Sequence, residues 1–140
     1  MMLYLTRRER FSAAHRMFRQ DWTDEKNMEF FGKCSNLKWH GHNYELFVTI
    51  KGEVSPETGF VMNISTLKEI IRERIIDKID HKNINLEVPF MEGKIATTEN
   101  LAVSIWEELR PFIEKEGAKL HCVKIFETEN NSTEYNAKVN

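Results

Sequence analysis

The stretch that decides the fold is residues 34–50, CSNLKWHGHNYELFVTI. From His40 onward, apolar residues favour the even positions and polar residues the odd positions, with Phe47 as the apolar exception. This period-2 alternation predicts a β-strand that has His40 and His42 on its apolar face, because alternate side chains point the same way. Buried imidazoles need polar partners, and a metal ion suits both. The stretch therefore predicts a strand that carries a metal site.

The sequence before this stretch predicts a first strand and a long connection. Residues 2–14 alternate imperfectly between apolar and polar and predict a strand that delivers His15 at its end. The connection, residues 16–39, contains a short helix predicted over Thr23–Phe31, whose first residue is a good N-cap. Long connections in compact domains are often functional, and this one carries Cys34.

The sequence after the stretch first predicts a turn at residues 54–59 and then an amphipathic helix capped by Asn63 or Ser65. The helix ends directly at Asp80 and His81. Its apolar residues recur at helical spacing and predict one buried stripe. They are Leu67, Ile70, Ile71, Ile75 and Ile79.

The last part of the chain completes an α+β pattern. Residues 82–96 predict an irregular connection, and a second helix begins at Thr97 or Thr98 and runs to about Glu116. Two strands follow, at residues 120–128 and 133–139. The order ββααββ predicts a single domain, residues 1–140, in which two helices cover one face of a four-stranded antiparallel sheet.

Composition narrows the class of protein. The chain has 140 residues, of which 41% are hydrophobic and 30% charged, typical of one soluble domain. Its net charge of -2 gives no reason to expect nucleic acid as a partner, and no apolar run reaches the length of a membrane span. Two cysteines do not form a disulfide framework, which favours a reducing, cytoplasmic setting.

Three histidines are the strongest candidates for chemistry. His40 and His42 share one strand face, and His15 ends the preceding strand, which usually lies beside it. Three imidazoles from two neighbouring strands would make a zinc site with one open position, which is the usual form of a catalytic zinc site. The alternative is that these are strand histidines with ordinary hydrogen bonds and no metal.

The other candidate residues each leave alternatives open. Cys34 is a fourth zinc ligand, an inert thiol, or a nucleophile or base. Asp80 and His81 either end a helix, where His81 interacts with its dipole, or form a carboxylate–imidazole pair for proton transfer; spacing alone favours the first. Glu127 is either a solvated strand end or an acceptor for paired N–H donors of a planar ligand. Cys122 is interpreted as a core residue.

Seven separated motifs follow one another along nearly the whole chain. They are Phe11–Arg16, Phe31–Cys34, His40–Tyr44, Gly52–Val54 with Pro56 and Thr58–Gly59, Asp80–Asn83, Thr97–Asn100 and Glu127–Thr128. Together they resemble the 6-pyruvoyl-tetrahydropterin synthases and their relatives, the 6-carboxytetrahydropterin synthases of the queuosine pathway.

This resemblance implies a T-fold, a zinc cofactor and a homohexamer made of two trimers, with active sites at subunit interfaces. The expected substrate is 7,8-dihydroneopterin triphosphate, which a lyase of this family converts to 6-pyruvoyl-tetrahydropterin with loss of triphosphate. The resemblance also assigns roles to individual residues. It matches His15, His40 and His42 to the zinc ligands, Cys34, Asp80 and His81 to the proton-transfer residues, and Glu127, Thr98 and Glu99 to the pterin pocket.

Some features distinguish the alternatives within and outside this family. Trp39 stands before His40, where family members often have a smaller residue. The loop 129–132 and the spacing between Cys34 and His40 are similar to the animal enzymes and favour the pyruvoyl over the carboxy product. A zinc- or pterin-binding protein without activity, with Cys34 as fourth ligand, is the alternative of another class. A carbonic-anhydrase-like hydrolase ranks last, because it gives no role to Glu127 or to Asp80 and His81.

Overall fold

The computed structural model describes residues 1–137 and contains one five-stranded sheet. The spatial order of the strands is β3-β1-β2-β4-β5. Their bounds are β1 Met2–His15, β2 His40–Glu53, β3 Lys82–Asn83, β4 Lys119–Thr128 and β5 Asn131–Tyr135. β1 pairs antiparallel with β2 along its whole length, so that His15 lies opposite His40 and Ala13 opposite His42. The strand predicted from His40 onward is confirmed.

The sheet corrects the prediction of four antiparallel strands. β3 pairs with β1 in parallel, through Ala13 with Lys82 and Ala14 with Asn83, and makes the sheet mixed. It lies in residues 82–96, which were predicted to be irregular. The same segment also contains a short helix, α4, at Ile84–Glu87, and a 3₁₀ turn at Pro89–Met91. A strand of two residues leaves no alternation to detect, so the sequence pattern could not reveal it.

The strand at the chain's end is also shorter than predicted. β5 covers Asn131–Tyr135, whereas the prediction covered residues 133–139. Residues 138 and 139 of that prediction lie outside the described part of the chain. The loop predicted at 129–132 is reduced to a turn, because Asn131 and Ser132 already pair with β4.

The long helices cover the sheet on the face that carries the apolar row, whereas the first helix lies in the connection between β1 and β2. The first helix, α1, is Asp24–Phe31, and the Thr23 hydroxyl caps it by accepting the N–H of Lys26. The next is continuous but has three segments. They are α2 Ile64–Ile71, a π-helical segment Arg72–Ile76 and α3 Asp77–Ile79. Within the described residues, no helix has the length and apolar character needed to cross a membrane.

Capping side chains set where the long helices begin. Asn63 rather than Ser65 caps α2, because the Asn63 side chain accepts the N–H of Ser65 at 2.8 Å. The longest helix, α5, is Thr98–Lys115, and the Thr97 hydroxyl caps it by accepting the N–H of Asn100 at 3.1 Å. The start of α5 matters for the site, because Thr98 and Glu99 lie in its first turn.

The core lies between the inner face of the sheet and the helices. Each large aliphatic side chain that becomes fully buried stabilises the fold by roughly 1.5–3 kcal/mol. The predicted stripe is confirmed except at Ile70, which is only partly buried. Residues with no exposed surface include Leu46, Val48, Ile50, Leu67, Ile71, Ile75, Ile79, Ile105, Leu109, Ile113, Val123 and Ile125. This core fixes β2 and therefore the position of its two histidines.

Candidate metal centre

Three imidazoles converge where β1 ends and β2 begins. His15, His40 and His42 each offer a ring nitrogen, and these nitrogens all lie within 4.8 Å of one another. Their ring centroids are 4.5 Å apart for His15–His40, 5.1 Å for His15–His42 and 5.0 Å for His40–His42. The antiparallel register brings the three together, because it places His15 opposite His40 and beside His42. The three histidines could hold a metal ion.

The hydrogen bonding of the three rings fits a metal. Three buried ring nitrogens have no hydrogen-bond partner: Nε2 of His15, Nδ1 of His40 and Nε2 of His42. The other nitrogen of His15, Nδ1, lies 2.8 Å from the carbonyl oxygen of Ala96. A carbonyl only accepts, so Nδ1 carries the proton and Nε2 presents a lone pair. Unpaired buried nitrogens are costly, and a bound cation would satisfy them.

Burial also keeps two of these rings neutral, as metal ligation requires. Burial lowers the pKa of His15, although its hydrogen bond to Ala96 opposes the shift. Burial and the neighbouring His42 lower the pKa of His40. Both imidazoles are therefore unprotonated near neutral pH, and only neutral imidazole binds a metal ion.

The Tyr44 ring packs against two of the three imidazoles. The strand alternation placed it on the same face as the histidines, and its ring lies edge-on to His42 with centroids 5.6 Å apart. It also stacks on Phe11 at 4.8 Å. Burial raises the pKa of Tyr44, so its hydroxyl stays neutral.

The Glu127 carboxylate lies beside the three histidines. One oxygen, Oε2, accepts the hydroxyl proton of Thr98 at 2.7 Å, and the other, Oε1, is 3.6 Å from Nε2 of His42. Thr98 is buried in the first turn of α5, whereas the adjacent Glu99 is exposed. The structure therefore brings Thr98 and Glu127 to the histidines and leaves Glu99 on the surface next to them.

Cys34 lies on a short 3₁₀ turn, Gly32–Ser35, that follows α1. Its side chain is half-buried, and its carbonyl oxygen accepts the N–H of Met17 at 2.8 Å. Among the described residues, the group of mutually close ligand atoms contains only the three imidazoles and leaves out the Cys34 thiol.

Asp80 and His81 lie at the outer edge of β1, after α3. The Asp80 carboxylate accepts the backbone N–H of Ser12 at 2.9 Å with Oδ1, while its Oδ2 lies 3.0 Å from Nδ1 of His81. The Ser12 N–H and His81 together lower the pKa of Asp80. His81 has a left-handed backbone with φ 60°, and its side chain is 83% exposed. No hydrogen bond or ring contact in the described part of the chain joins His81 to the three imidazoles.

The remaining histidine and cysteine lie away from this site. His121 is in β4 with its ring centroid 4.6 Å from that of Tyr4. Cys122 is buried, as the sequence indicated, but lies outside the main core cluster. Burial and the nearby Glu134 carboxylate raise the pKa of the Cys122 thiol to about 11.

Sequence reasoning missed the groups that support the site. The Ala96 carbonyl leaves no signal in the sequence, because any residue could supply it. The sequence analysis also predicted no role for Arg16 or Asn85, although both make several hydrogen bonds near His15. The detectable signal was a charged residue directly after a strand that ends in the core, since a buried arginine needs partners.

The protein thus has an α+β fold with helices on one face of a mixed sheet. Three imidazoles at the end of a strand pair, each with one unpartnered ring nitrogen, form its candidate metal centre. Residues 4–138 match the family model described as PTPS, 6-pyruvoyl tetrahydropterin synthase. The chain therefore belongs to the 6-pyruvoyl tetrahydropterin synthase family.

Named relatives agree with this assignment. The chain is 48% identical over 131 residues to 6-pyruvoyl tetrahydrobiopterin synthase of Dictyostelium discoideum, covering 94% of this chain and 93% of the relative. It is 44% identical over 131 residues to the Homo sapiens enzyme of the same name, covering 94% and 89%. A 6-carboxy-5,6,7,8-tetrahydropterin synthase of Bacillus subtilis is 29% identical over 104 residues, covering 72% and 67%.

A solved structure has the same fold. The structure of Caenorhabditis elegans 6-pyruvoyl tetrahydropterin synthase superposes with a TM-score of 0.91 at 35% identity, covering 99% of this chain and 97% of that one. The relatives are named as synthases, which supports an enzyme that acts on pterins.

Proposed function

We propose that this protein is a zinc-dependent lyase that converts 7,8-dihydroneopterin triphosphate to 6-pyruvoyl-tetrahydropterin with loss of triphosphate. The observation that carries the proposal is the cluster of unpaired ring nitrogens beside an anchored carboxylate, Glu127. A metal site next to an acceptor of N–H donors is what a pterin with an oxygen-rich side chain needs. The names of the relatives support the substrate class.

The three histidines would hold zinc. Zinc bound there supplies Lewis acidity toward the oxygens of the substrate side chain. His15 is prepared for this role, because the Ala96 carbonyl holds the proton of its ring on Nδ1 and directs Nε2 at the site.

The other residues would orient the substrate and move protons. Glu127, held by the Thr98 hydroxyl, would accept two N–H donors from the amino-pyrimidine edge of the pterin, with Glu99 at the rim of the pocket. Cys34, as thiolate, would remove the proton from the side-chain carbon, and Asp80 with His81 would supply or relay protons. Triphosphate then leaves by elimination.

We propose further that the sites are completed between subunits of a T-fold homohexamer made of two trimers. Asp80 and His81 lie beside Ser12 of β1, directly before β3, and the His81 side chain is exposed on the surface of its own chain. A pair placed this way is suited to serve the metal site of a neighbouring subunit. Two free cysteines, Cys34 and Cys122, suit a reducing compartment, and we propose the cytoplasm.

Product identification tests the proposed reaction. Zinc-loaded protein is incubated with 7,8-dihydroneopterin triphosphate, and the products are identified by mass and by triphosphate release. We expect 6-pyruvoyl-tetrahydropterin and triphosphate. The carboxy product would instead make the protein a 6-carboxytetrahydropterin synthase. Absence of both products would leave a zinc- or pterin-binding protein without this activity.

A matched variant tests whether the product comes from the proposed metal centre or from a contaminating enzyme. The His40→Ala protein lacks one of the three imidazoles but keeps Cys34, Glu127 and the fold-determining core. We expect it to lose both zinc and turnover. Turnover that survives in this variant would show that the product does not come from the proposed centre.

A further inference from the structure

Arg16 is a buried arginine that directly follows the candidate metal ligand His15. Only 8% of its surface is exposed. A buried arginine almost always has polar partners, so its contacts identify what it supports. Its Nε donates to the carbonyl oxygen of Ser35 at 3.0 Å, and its guanidinium carbon lies 4.3 Å above the centre of the Phe18 ring. The Arg16 guanidinium therefore contacts a backbone oxygen and an aromatic face, and its Nη2 also lies 3.4 Å from the Asp24 carboxylate.

The Ser35 carbonyl belongs to the turn that carries Cys34. The next residue after Arg16 binds the same turn, because the N–H of Met17 donates to the carbonyl oxygen of Cys34 at 2.8 Å. Two consecutive residues at the exit of β1 thus hold two consecutive carbonyls of the turn Gly32–Ser35. The Arg16 bond is the stronger kind, since its donor is charged.

Asn85 holds the backbone of Arg16 in place. Its side-chain oxygen accepts the N–H of Arg16 at 3.0 Å, and its side-chain nitrogen donates to the carbonyl oxygen of Arg16 at 2.9 Å. The Asn85 amide therefore pairs with both backbone groups of Arg16, as a neighbouring strand would, although β1 has already ended. Arg16 is therefore a fixed support for the turn.

We infer that Arg16 is a positioning residue that holds the Cys34 thiol at its distance from the three-histidine centre. His15 and Arg16 are adjacent on one rigid strand exit, so any shift of the Ser35 contact moves Cys34 relative to the metal ligands. The kinetic part of this inference rests on the proposed function. The structural part, coupling of the turn to the strand exit, does not.

Hydrogen exchange of the Met17 amide tests the coupling in zinc-loaded protein. In Arg16→Met, the side chain keeps its length against Phe18 but loses every donor. We expect Met17 to exchange about 10- to 100-fold faster, because the turn loses a charge-assisted hydrogen bond and opens more often. The amide of Val48, in the centre of β2, reports global unfolding and serves as the internal reference.

Matched variants distinguish the effect of losing the Ser35 hydrogen bond from the effects of losing a charge or destabilising the fold. Asp24→Asn removes the ion pair between the exposed Asp24 carboxylate and Arg16, 3.4 Å apart, but leaves the Ser35 hydrogen bond, so wild-type exchange is expected. Arg16→Lys keeps the charge and stem without the Nε donor, and we expect faster Met17 exchange again. This second variant also decides the question if Arg16→Met does not fold.

Turnover completes the test. In Arg16→Met we expect full zinc content, an unchanged KM and a lower kcat, since binding groups remain and only the thiol is displaced. Met17 exchange that changes only in step with Val48, or loss of zinc, would overturn the inference. If wild-type protein makes no pterin product while Met17 responds as expected, the proposed function fails and the coupling stands.

Discussion

At the scale of the residue, one backbone carbonyl prepares a metal ligand. Ala96 fixes the tautomer of His15 across a separation of 81 residues, and it does so with an atom that every amino acid has. Such supporting contacts to metal-binding histidines typically change metal affinity or activity by about 10- to 100-fold. The sequence could identify the imidazoles, because residue type decides ligation, but it could not identify this partner.

Replacement of Cys34 by alanine separates its alternative roles. If the thiol is the base, kcat falls by roughly 10²- to 10⁴-fold, the usual contribution of a positioned general base, while zinc content stays at the wild-type level. Metal analysis and steady-state kinetics on the same preparation provide both values. Loss of zinc together with activity would make Cys34 a ligand. Cys122→Ala is the control, and its turnover should equal that of the wild type.

Replacement of Glu127 by glutamine tests the pterin contact. Glutamine keeps the shape and can still accept the Thr98 hydroxyl, but it cannot accept two N–H donors. Hydrogen bonds to a charged group contribute more than neutral ones, so we expect KM to rise about 10- to 100-fold with zinc retained. Kinetics and zinc analysis on the variant provide the check.

A comparison with Thr98→Val sharpens this prediction. That variant keeps the carboxylate and loses only its hydroxyl partner, so its KM should rise less than that of Glu127→Gln. Equal KM values for wild type and Glu127→Gln would remove Glu127 from the substrate contact.

At the scale of the element, β1 is tied to the π-helical segment through Glu9. Its carboxylate oxygens accept from Nε of Arg72 at 2.6 Å and from Nη2 of Arg7 at 3.0 Å. Burial raises the pKa of Glu9, but the hydrogen bonds from Arg72 and Arg7 outweigh burial and hold it below its usual value of 4.5. The charged carboxylate is therefore favoured by folding.

The Glu9 contact makes stability depend on pH. Because the pKa is lower in the folded state, the contact stabilises fully above about pH 5 and is lost as pH falls through the folded pKa. At pH 7 we expect Glu9→Gln to lower the free energy of unfolding by about 1 kcal/mol, a value reduced for the half-exposed Arg72.

Urea unfolding between about pH 7 and about pH 3 measures this dependence. The difference between wild type and Glu9→Gln should shrink on acidification. Glu57→Gln, an exposed carboxylate in the turn after β2, should follow the wild type throughout. A Glu9 variant that parallels the wild type at every pH would show that the contact contributes nothing.

A hydrophobic pattern in the sequence can predict only the longer helices and strands. The two long strands, the capped helices and the buried stripe carry period-2 or helical spacing over many residues. β3 and α4 contain two and four residues, too few for a period, and pairing with β1 alone makes β3 a strand. The π-helical segment buries Ile75 fully and Ile76 partly, so its sequence resembles that of an ordinary amphipathic helix.

At the scale of the whole molecule, the proposed assembly predicts complementation between inactive chains. Cys34→Ala and His81→Ala should each be inactive alone. After both are dissociated and reassembled together, some sites would combine an intact Cys34 from one subunit with an intact His81 from its neighbour. Random mixing would restore roughly a quarter of wild-type activity. Sedimentation should give a hexamer for every sample.

A double variant provides the control for this experiment. Cys34→Ala/His81→Ala chains mixed with themselves have no intact pair and should stay inactive. Activity that does not return in the mixture of single variants, although hexamers form, would place both residues in the site of one subunit.

The sequence by itself determined the strand with two histidines on its apolar face, the long helices with their candidate caps, and the set of residue types for a metal site. The local spacing of apolar and polar residues encodes these features, because the direction of each side chain follows from the period of its strand or helix alone. Only the tertiary structure decided that His15 faces His40, that Ala96 orients it, that Glu127 lies beside His42, and that a fifth strand makes the sheet mixed. These depend on register and on contacts between distant segments, which packing of the whole chain sets.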